Sequence, residues 1–417
     1  MGAIFMACNP TEKSFLSTDD YNNYLSLNLE NKDQEAAQAE LEFWSQKWEK
    51  APSQSSYLSK MAAANNALFQ YTGNVNYLNS AGDQLALASE KRENKSASLL
   101  RALAKTRITQ HRFQEANISL TQAYSIGDQK EATEKMQFDV AMELGNYKEA
   151  EILLSKISRS EDFDYFIRLA KWYDYKGDTP GAIDQLELAV LKAEELDSDE
   201  LRLWIYSNLG DFYGHVGEIE TSYKHFLKAL AIDPNYSYAL KGIAWIQLSS
   251  EKNTGEAERI LNFLEEKHPV PDYGLLRAEI AQINEEESKV NELVNAFIKQ
   301  VSNPKYGDMY NAYLVTLLKE NPERALTLAK KEVANRPTPQ SYQLLSWAMN
   351  LNGNNSEALI IVENKVKDET FEPNSLLQMA EVLKASGKSK EVSELKMELK
   401  NCYYELGPSL SMKVSKQ

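Results

Sequence analysis

Cysteine is nearly missing from these 417 residues: Cys8 and Cys402 stand at opposite ends of the chain, so neither a disulfide framework nor a cysteine-based metal site can be built. Long apolar runs are missing as well, since none approaches the ~20 residues of a membrane-spanning helix. Positive charge is in deficit, with 46 Lys and Arg against 61 Asp and Glu and a net charge of −15. No basic run offsets it, which argues against non-specific binding to nucleic acid or to an anionic membrane, both polyanions. Gly-rich phosphate loops, H-E-x-x-H and G-x-S-x-G are all lacking. The four histidines, His111, His215, His225 and His268, are scattered. No cofactor, no metal and no enzymatic activity are expected.

What remains is a folded chain, 26% charged and 43% hydrophobic, too long for one compact core and hence either several domains or an extended array. The stretch "SNLGDFYGHVGEIETSYKHFLKALAIDP" shows which. Tyr206, Leu209, Gly210 and Tyr213 share one helical face. Gly217 ends that helix, Ser222, Phe226 and Ala229 share a face of a second, and Pro234 stops it. A helical hairpin cannot bury its apolar face alone, so copies are expected on both sides. They occur: a small residue opens the second helix at Ala81, Ala116, Ala150, Ala182, Ser222, Ala257, Ala325 and Ala358, with Glu292 and Val392 as exceptions, at spacings of about 32 to 40 residues. The copy around Glu292 fits poorly. The longest gap holds "KAEELDSDEL", which reads as a lengthened second helix and loop.

The pattern resembles the tetratricopeptide repeat (TPR) family, whose motif is W-x2-L-G-x2-Y…A-x3-F…P. The resemblance implies an all-α, right-handed α-solenoid of about ten helix-turn-helix repeats over residues 55–405. Residues 19–54 are expected to cap it, with Phe43, Trp44 and Trp48 covering the open end, and 406–417 to form a C-terminal tail. It also implies a non-enzymatic scaffold that binds a protein or peptide along the concave face of the first helices. Carried over residue by residue, that groove offers Lys171, Tyr175, Trp204, Asp211, His215, Tyr238, Lys241 and Trp245. Exposed aromatics among charges suit a polypeptide ligand, because Trp and Tyr dominate hot spots. The alternatives are an enzyme using Asp211 and His215, spaced i, i+4, or a glycan binder that stacks sugars on the tryptophans.

At the N-terminus, "FMAC" resembles the bacterial lipoprotein signal, an apolar run with a small residue directly before Cys8, and residues 1–18 then read as signal remnant and tether. That resemblance implies a lipid-anchored protein of the bacterial cell envelope whose only membrane contact is the lipid on Cys8. The alternative is a cytoplasmic adaptor.

Overall fold

The computed structural model describes residues 16–26, 30–158 and 161–416; Cys8 lies outside them. The protein is 79% helical, with no strand among the described residues. A first helix, α1 (Lys32–Lys50), leads into ten consecutive antiparallel pairs. These are α2 (Ser55–Thr72) with α3 (Val75–Lys91), α4 (Ala97–Thr109) with α5 (Phe113–Ile126), α6 (Lys130–Glu143) with α7 (Tyr147–Ile157), and α8 (Phe163–Tyr175) with α9 (Thr179–Glu195). Next come α10 (Asp199–His215) with α11 (Ile219–Ile232), α12 (Ser237–Ser249) with α13 (Thr254–Lys267), and α14 (Asp272–Ile283) with α15 (Glu287–Val301). The last are α16 (Asn311–Leu317) with α17 (Pro322–Asn335), α18 (Pro339–Leu351) with α19 (Asn355–Ile361), and α20 (Pro373–Ala385) with α21 (Ser389–Leu399). A final element, α22 (Tyr403–Lys416), follows. The chain is thus an α-solenoid.

One pair shows why these residues fold so. Ser198 caps α10 by accepting a bond from the Leu201 amide at 3.3 Å, which satisfies one of the amides left free at a helix start. Gly217, at φ +80°, turns the chain out of α10, and α11 stops two residues before Pro234. Phe226 is fully buried on α11. A Cβ on Gly210 would lie 2.6 Å from its ring, and one on Gly242 of the next pair 2.4 Å. The ring is therefore gripped between two backbones that only glycine allows so close. Ser222, which opens α11, is fully buried, as are Ala116, Ala150, Ala182 and Ala358 at the corresponding position of other pairs. The long gap divides between both neighbours, since α9 and α10 each run 17 residues with only three between them.

The poorly matching copy is real as a pair but sparse as a core. Glu292 is exposed, and α15 buries only Phe297 and Val301. The two largest of the apolar clusters meet there, smaller ones filling the pairs before Phe163. One cluster runs from Phe163 to Ile280 and the other from Phe297 to Val414. At the N-terminal end, Trp44 and Trp48 pack towards the first pair, Trp44 at 5.6 Å from Tyr57 and Trp48 under the Lys91 ammonium at 5.5 Å, whereas Phe43 is exposed. Residues 18–24 form two 3-10 turns that dock far along the array. Tyr21, fully buried, donates to Glu256 at 2.7 Å and accepts from Gln247 at 3.0 Å.

The array also closes on itself. Turns within early pairs rest on loops between later ones. Asn79 donates to the Lys305 carbonyl at 2.8 Å, and Asn335 donates to the His111 carbonyl at 2.7 Å. Arg336 pairs with Glu143 at 2.9 Å and lies 5.4 Å over the Phe113 ring. Gly145, at φ +67°, makes its turn and also lets the later chain approach, for a Cβ there would meet the Pro337 carbonyl oxygen at 2.6 Å. Gly177 meets the Phe371 ring in the same way. The first helices consequently face an enclosed interior.

Gly210→Leu should drive the Phe226 ring from its slot and cost ~1–3 kcal/mol or more, as overpacked cores do. Because repeat arrays couple mainly to neighbours, hydrogen exchange should show faster amide exchange in α10 to α12 and no change in α2 and α3. Uniform loosening of the whole array would contradict this helix register.

Candidate functional site

The interior has two unlike halves. In the first, α4, α6, α8 and α10 line a cavity of about 1050 Å³. Its wall is largely a network of paired charges. Arg168 bonds Asp139 at 2.7 Å and the Lys135 carbonyl at 2.9 Å, and Lys135 bonds Asp162 at 2.6 Å and Asp164 at 3.3 Å. Burial alone would lower the Lys135 pKa, but Asp162 and Asp164 outweigh it and hold it above the usual lysine value. Charges this close are mutually neutralised, so the wall presents polarity more than net sign. Amid it stands the Trp204 indole, 41% exposed, its ring centre 5.9 Å from that of Phe163 in a T-shaped pair.

The groove positions expected from the sequence divide between the two halves. Lys171 and Trp204 line the cavity, together with Asp164, Ile167 and Asp174. Lys171 already has a partner, donating to Glu143 at 2.9 Å. Glu143 is held below the usual carboxylate range because Lys171 and Arg336 together overcome its burial. Tyr175 is engaged in packing, stacked on Tyr147 at 3.9 Å. Asp211 accepts from the Tyr238 hydroxyl rather than pairing with His215. Its pKa is nevertheless raised, because burial exceeds the pull of Tyr238 and Lys241. Tyr238 is 42% exposed, with the Lys241 ammonium 4.8 Å over its ring. His215 is shifted down by burial and sits 5.9 Å from Tyr404. Trp347, on the first helix of its pair, α18, is buried and donates to Glu381 at 2.7 Å.

In the second half, Trp245 is not free. Its indole N–H donates to the Tyr404 carbonyl at 3.0 Å. The partner is α22, most of which falls in the 406–417 segment expected to be a tail, and which lies against α10, α12, α14, α20 and α21. Helical geometry breaks inside α22 at Gly407 (φ 71°, ψ 172°), followed by Pro408. Pro408 has no N–H to return to the Tyr404 carbonyl four residues back, and Trp245 supplies the missing donor. Beyond the break, the Ser409 amide donates to Glu279 at 2.8 Å. The glycines are matched as well. A Cβ on Gly407 would lie 2.6 Å from the Trp245 ring, and one on Gly214 would lie 2.3 Å from the Tyr404 ring. Tyr404 joins the first apolar cluster, and Leu406 and Val414 join the second. Tyr404, Glu279 and the Gly407–Pro408 break are the functional candidates that periodicity alone did not reveal, whereas Gly214 stands at a groove position of the repeat pattern; the signal available was the dipeptide Gly-Pro inside a helix-length apolar pattern.

These features define the class of the protein, a closed α-solenoid of helix pairs with a lined interior. No protein-family model matches the chain, and no curated protein matches its sequence. Among solved structures it is similar to the human IFIT1 dimer with PPP-AAAA, at 15% identity and TM-score 0.49 over 74% of this chain and 71% of that one. It is also similar to yeast Tom70, at 14% identity and TM-score 0.37 over 90% and 97%. A third is YrrB, a TPR protein with an unusual peptide-binding site, at 18% identity and TM-score 0.28 over 47% and 95%.

The docking of α22 should depend on pH. Burial and the nearby Glu372 push the Glu405 carboxyl up to about 7, and Glu372 is itself raised by burial and by Asp174. Cys402 and Tyr404, on the same segment, are raised and stay neutral below their shifted values, chiefly through burial. A carboxyl that holds its proton better when docked favours docking at low pH, and that contribution is lost as pH rises to about 7. The lowered His215 acts in the opposite sense at acid pH. Amide protection of residues 403–414, corrected for intrinsic exchange, should therefore fall between about pH 5 and pH 8, and Glu405→Gln should remove that fall.

Proposed function

We propose that the protein is a non-enzymatic interaction scaffold that binds a protein or peptide segment inside the solenoid, with the cavity between α4 and α10 as its contact surface. The observation that carries this reading is the half-exposed Trp204 within a cavity of about 1050 Å³, most of whose charged groups are paired. Such a wall offers an aromatic anchor and fixed hydrogen-bonding groups without a strong field, which suits polypeptide. A nucleic acid would require a cluster of unpaired cations, where this wall has Lys105 alone, and the chain carries −15 overall. A catalytic use of Asp211 and His215 finds less support, since the carboxylate is taken by Tyr238.

The test begins with crosslinking and mass spectrometry to isolate the partner. Affinity and thermal midpoint are then measured for Trp204→Ala. Truncated hot-spot aromatics cost ~2 kcal/mol or more, so binding should weaken at least ~30-fold while the midpoint stays within a degree or so of wild type. Unchanged affinity would remove the cavity reading.

The proposed location is the bacterial envelope, by a lipid on Cys8, and its support is the "FMAC" sequence alone. In its own host the protein should incorporate labelled palmitate and sediment with membranes, and Cys8→Ala should abolish both. Unlabelled, soluble wild-type protein would exclude the anchor and leave the scaffold reading intact.

A further inference from the structure

We propose that the half of the interior lined by Gly214, Trp245 and Glu279 is a second recognition site, selective for a partner polypeptide carrying an aromatic-x-x-Gly-Pro segment, and that α22 is its resident competitor. This deepens the scaffold reading, although it concerns a different surface from the cavity at Trp204.

The argument rests on what holds α22. A Gly-Pro break inside a helix exposes a backbone carbonyl before it and an amide after it. The site answers each with one side chain, Trp245 as donor and Glu279 as acceptor. It also tests the two side chains flanking that geometry. Gly214 leaves room for an aromatic ring three residues before the break, and Trp245 lies where any side chain at the glycine position would clash. These four features recognise backbone geometry and an aromatic, so a partner segment of the same pattern would meet them equally well. The resident segment is imperfectly satisfied. The Tyr403 hydroxyl, one Glu405 carboxylate oxygen and the Ser409 hydroxyl are buried with no hydrogen-bond partner in the protein. Buried polar atoms left unpaired weaken the docked state relative to a released one, in which water reaches them. The connection from α21 is three residues, Lys400 to Cys402, and release of α22 gives up its contacts with α20 and α21 while those two helices keep their own pairing.

The experiment uses the full chain and a synthetic peptide of residues 401–417 as probe. Gly407→Ala in the chain clashes with Trp245 and disfavours the positive φ, and so loosens the resident segment without altering the site. Hydrogen exchange should then rise in 403–414 alone, and the peptide should bind this variant at least ~10-fold more tightly than wild type, a difference of one decade in Kd. Peptide carrying Gly407→Ala should not bind, and Trp245→Phe in the loosened chain, which deletes the indole donor, should weaken binding ~10-fold. Tyr404→Ala provides a second loosened chain should the first fold poorly. Equal peptide affinity for wild type and both variants, or cooperative loss of the whole array when α22 is disturbed, would show that α22 is permanent core and overturn the proposal. Concentration-dependent dimerisation of wild type by exchange of α22 would also overturn it, in favour of a second copy as the occupant. None of these outcomes bears on the effect of Trp204→Ala at the cavity.

Discussion

The Glu143 carboxylate, held between Lys171 and Arg336, is the contact on which the interior depends. Glu143 ends α6, Lys171 lies on the next pair, and Arg336 comes from a loop after α17. An open solenoid has a concave face bathed in solvent. Here the later loops meet the earlier turns, and that face becomes an enclosure. Its ionic groups are consequently more desolvated than surface pairs, which is why two cations hold Glu143 ionised against its burial. Removing either cation would leave the carboxylate buried with less compensation, a costlier change than the loss of an exposed salt bridge.

Curvature has to bring those distant loops together, and curvature is set by how closely neighbouring helices pack. The slot formed by Gly210 and Gly242 around Phe226 is the clearest case, since it draws the second helix of one pair against the first helices of two pairs. The buried alanines at Ala116, Ala150, Ala182 and Ala358 serve the same end elsewhere. Small residues at helix crossings thus act at long range. They set the approach between neighbours, the approach sets the rotation per pair, and the rotation determines which loop reaches Glu143.

Repetition made the pairs legible before any coordinates. The phase of Ala116, Ala150 and Ala182 recurs, so each helix could be placed by reference to the others, and the faces carrying Lys171 and Trp204 followed from helical period alone. Features without a period were not legible. Pro337 and Phe371 meet Gly145 and Gly177 across the superhelix, and nothing in the local pattern of either partner marks the other. Trp245 and Tyr175 lie on first helices as their spacing requires, yet each is covered by a residue that the repeat does not encode, Tyr404 and Tyr147 respectively. Gly407 and Pro408 read as a stop signal, which is their usual meaning. In this chain the interruption is what exposes a carbonyl and an amide for Trp245 and Glu279 to bind.

The placement of α22 follows from the copy around Glu292. That pair buries little of α15, and the two largest apolar clusters meet there without merging. A junction of this kind is where an array bends or opens most easily, since stability in repeats is carried by each interface in turn. α22 spans it, with Tyr404 on one cluster and Leu406 and Val414 on the other. The segment therefore acts as a strap across a sparsely packed interface as well as filling the groove beside it. A strap of full core quality would lock the two halves together. One whose Tyr403, Glu405 and Ser409 keep unpaired buried atoms, and whose Glu405 is favoured in its protonated form, holds them with an affinity that solution conditions and competing segments can change. Occupancy of the groove and the relative freedom of the two halves are thus coupled through one short helix.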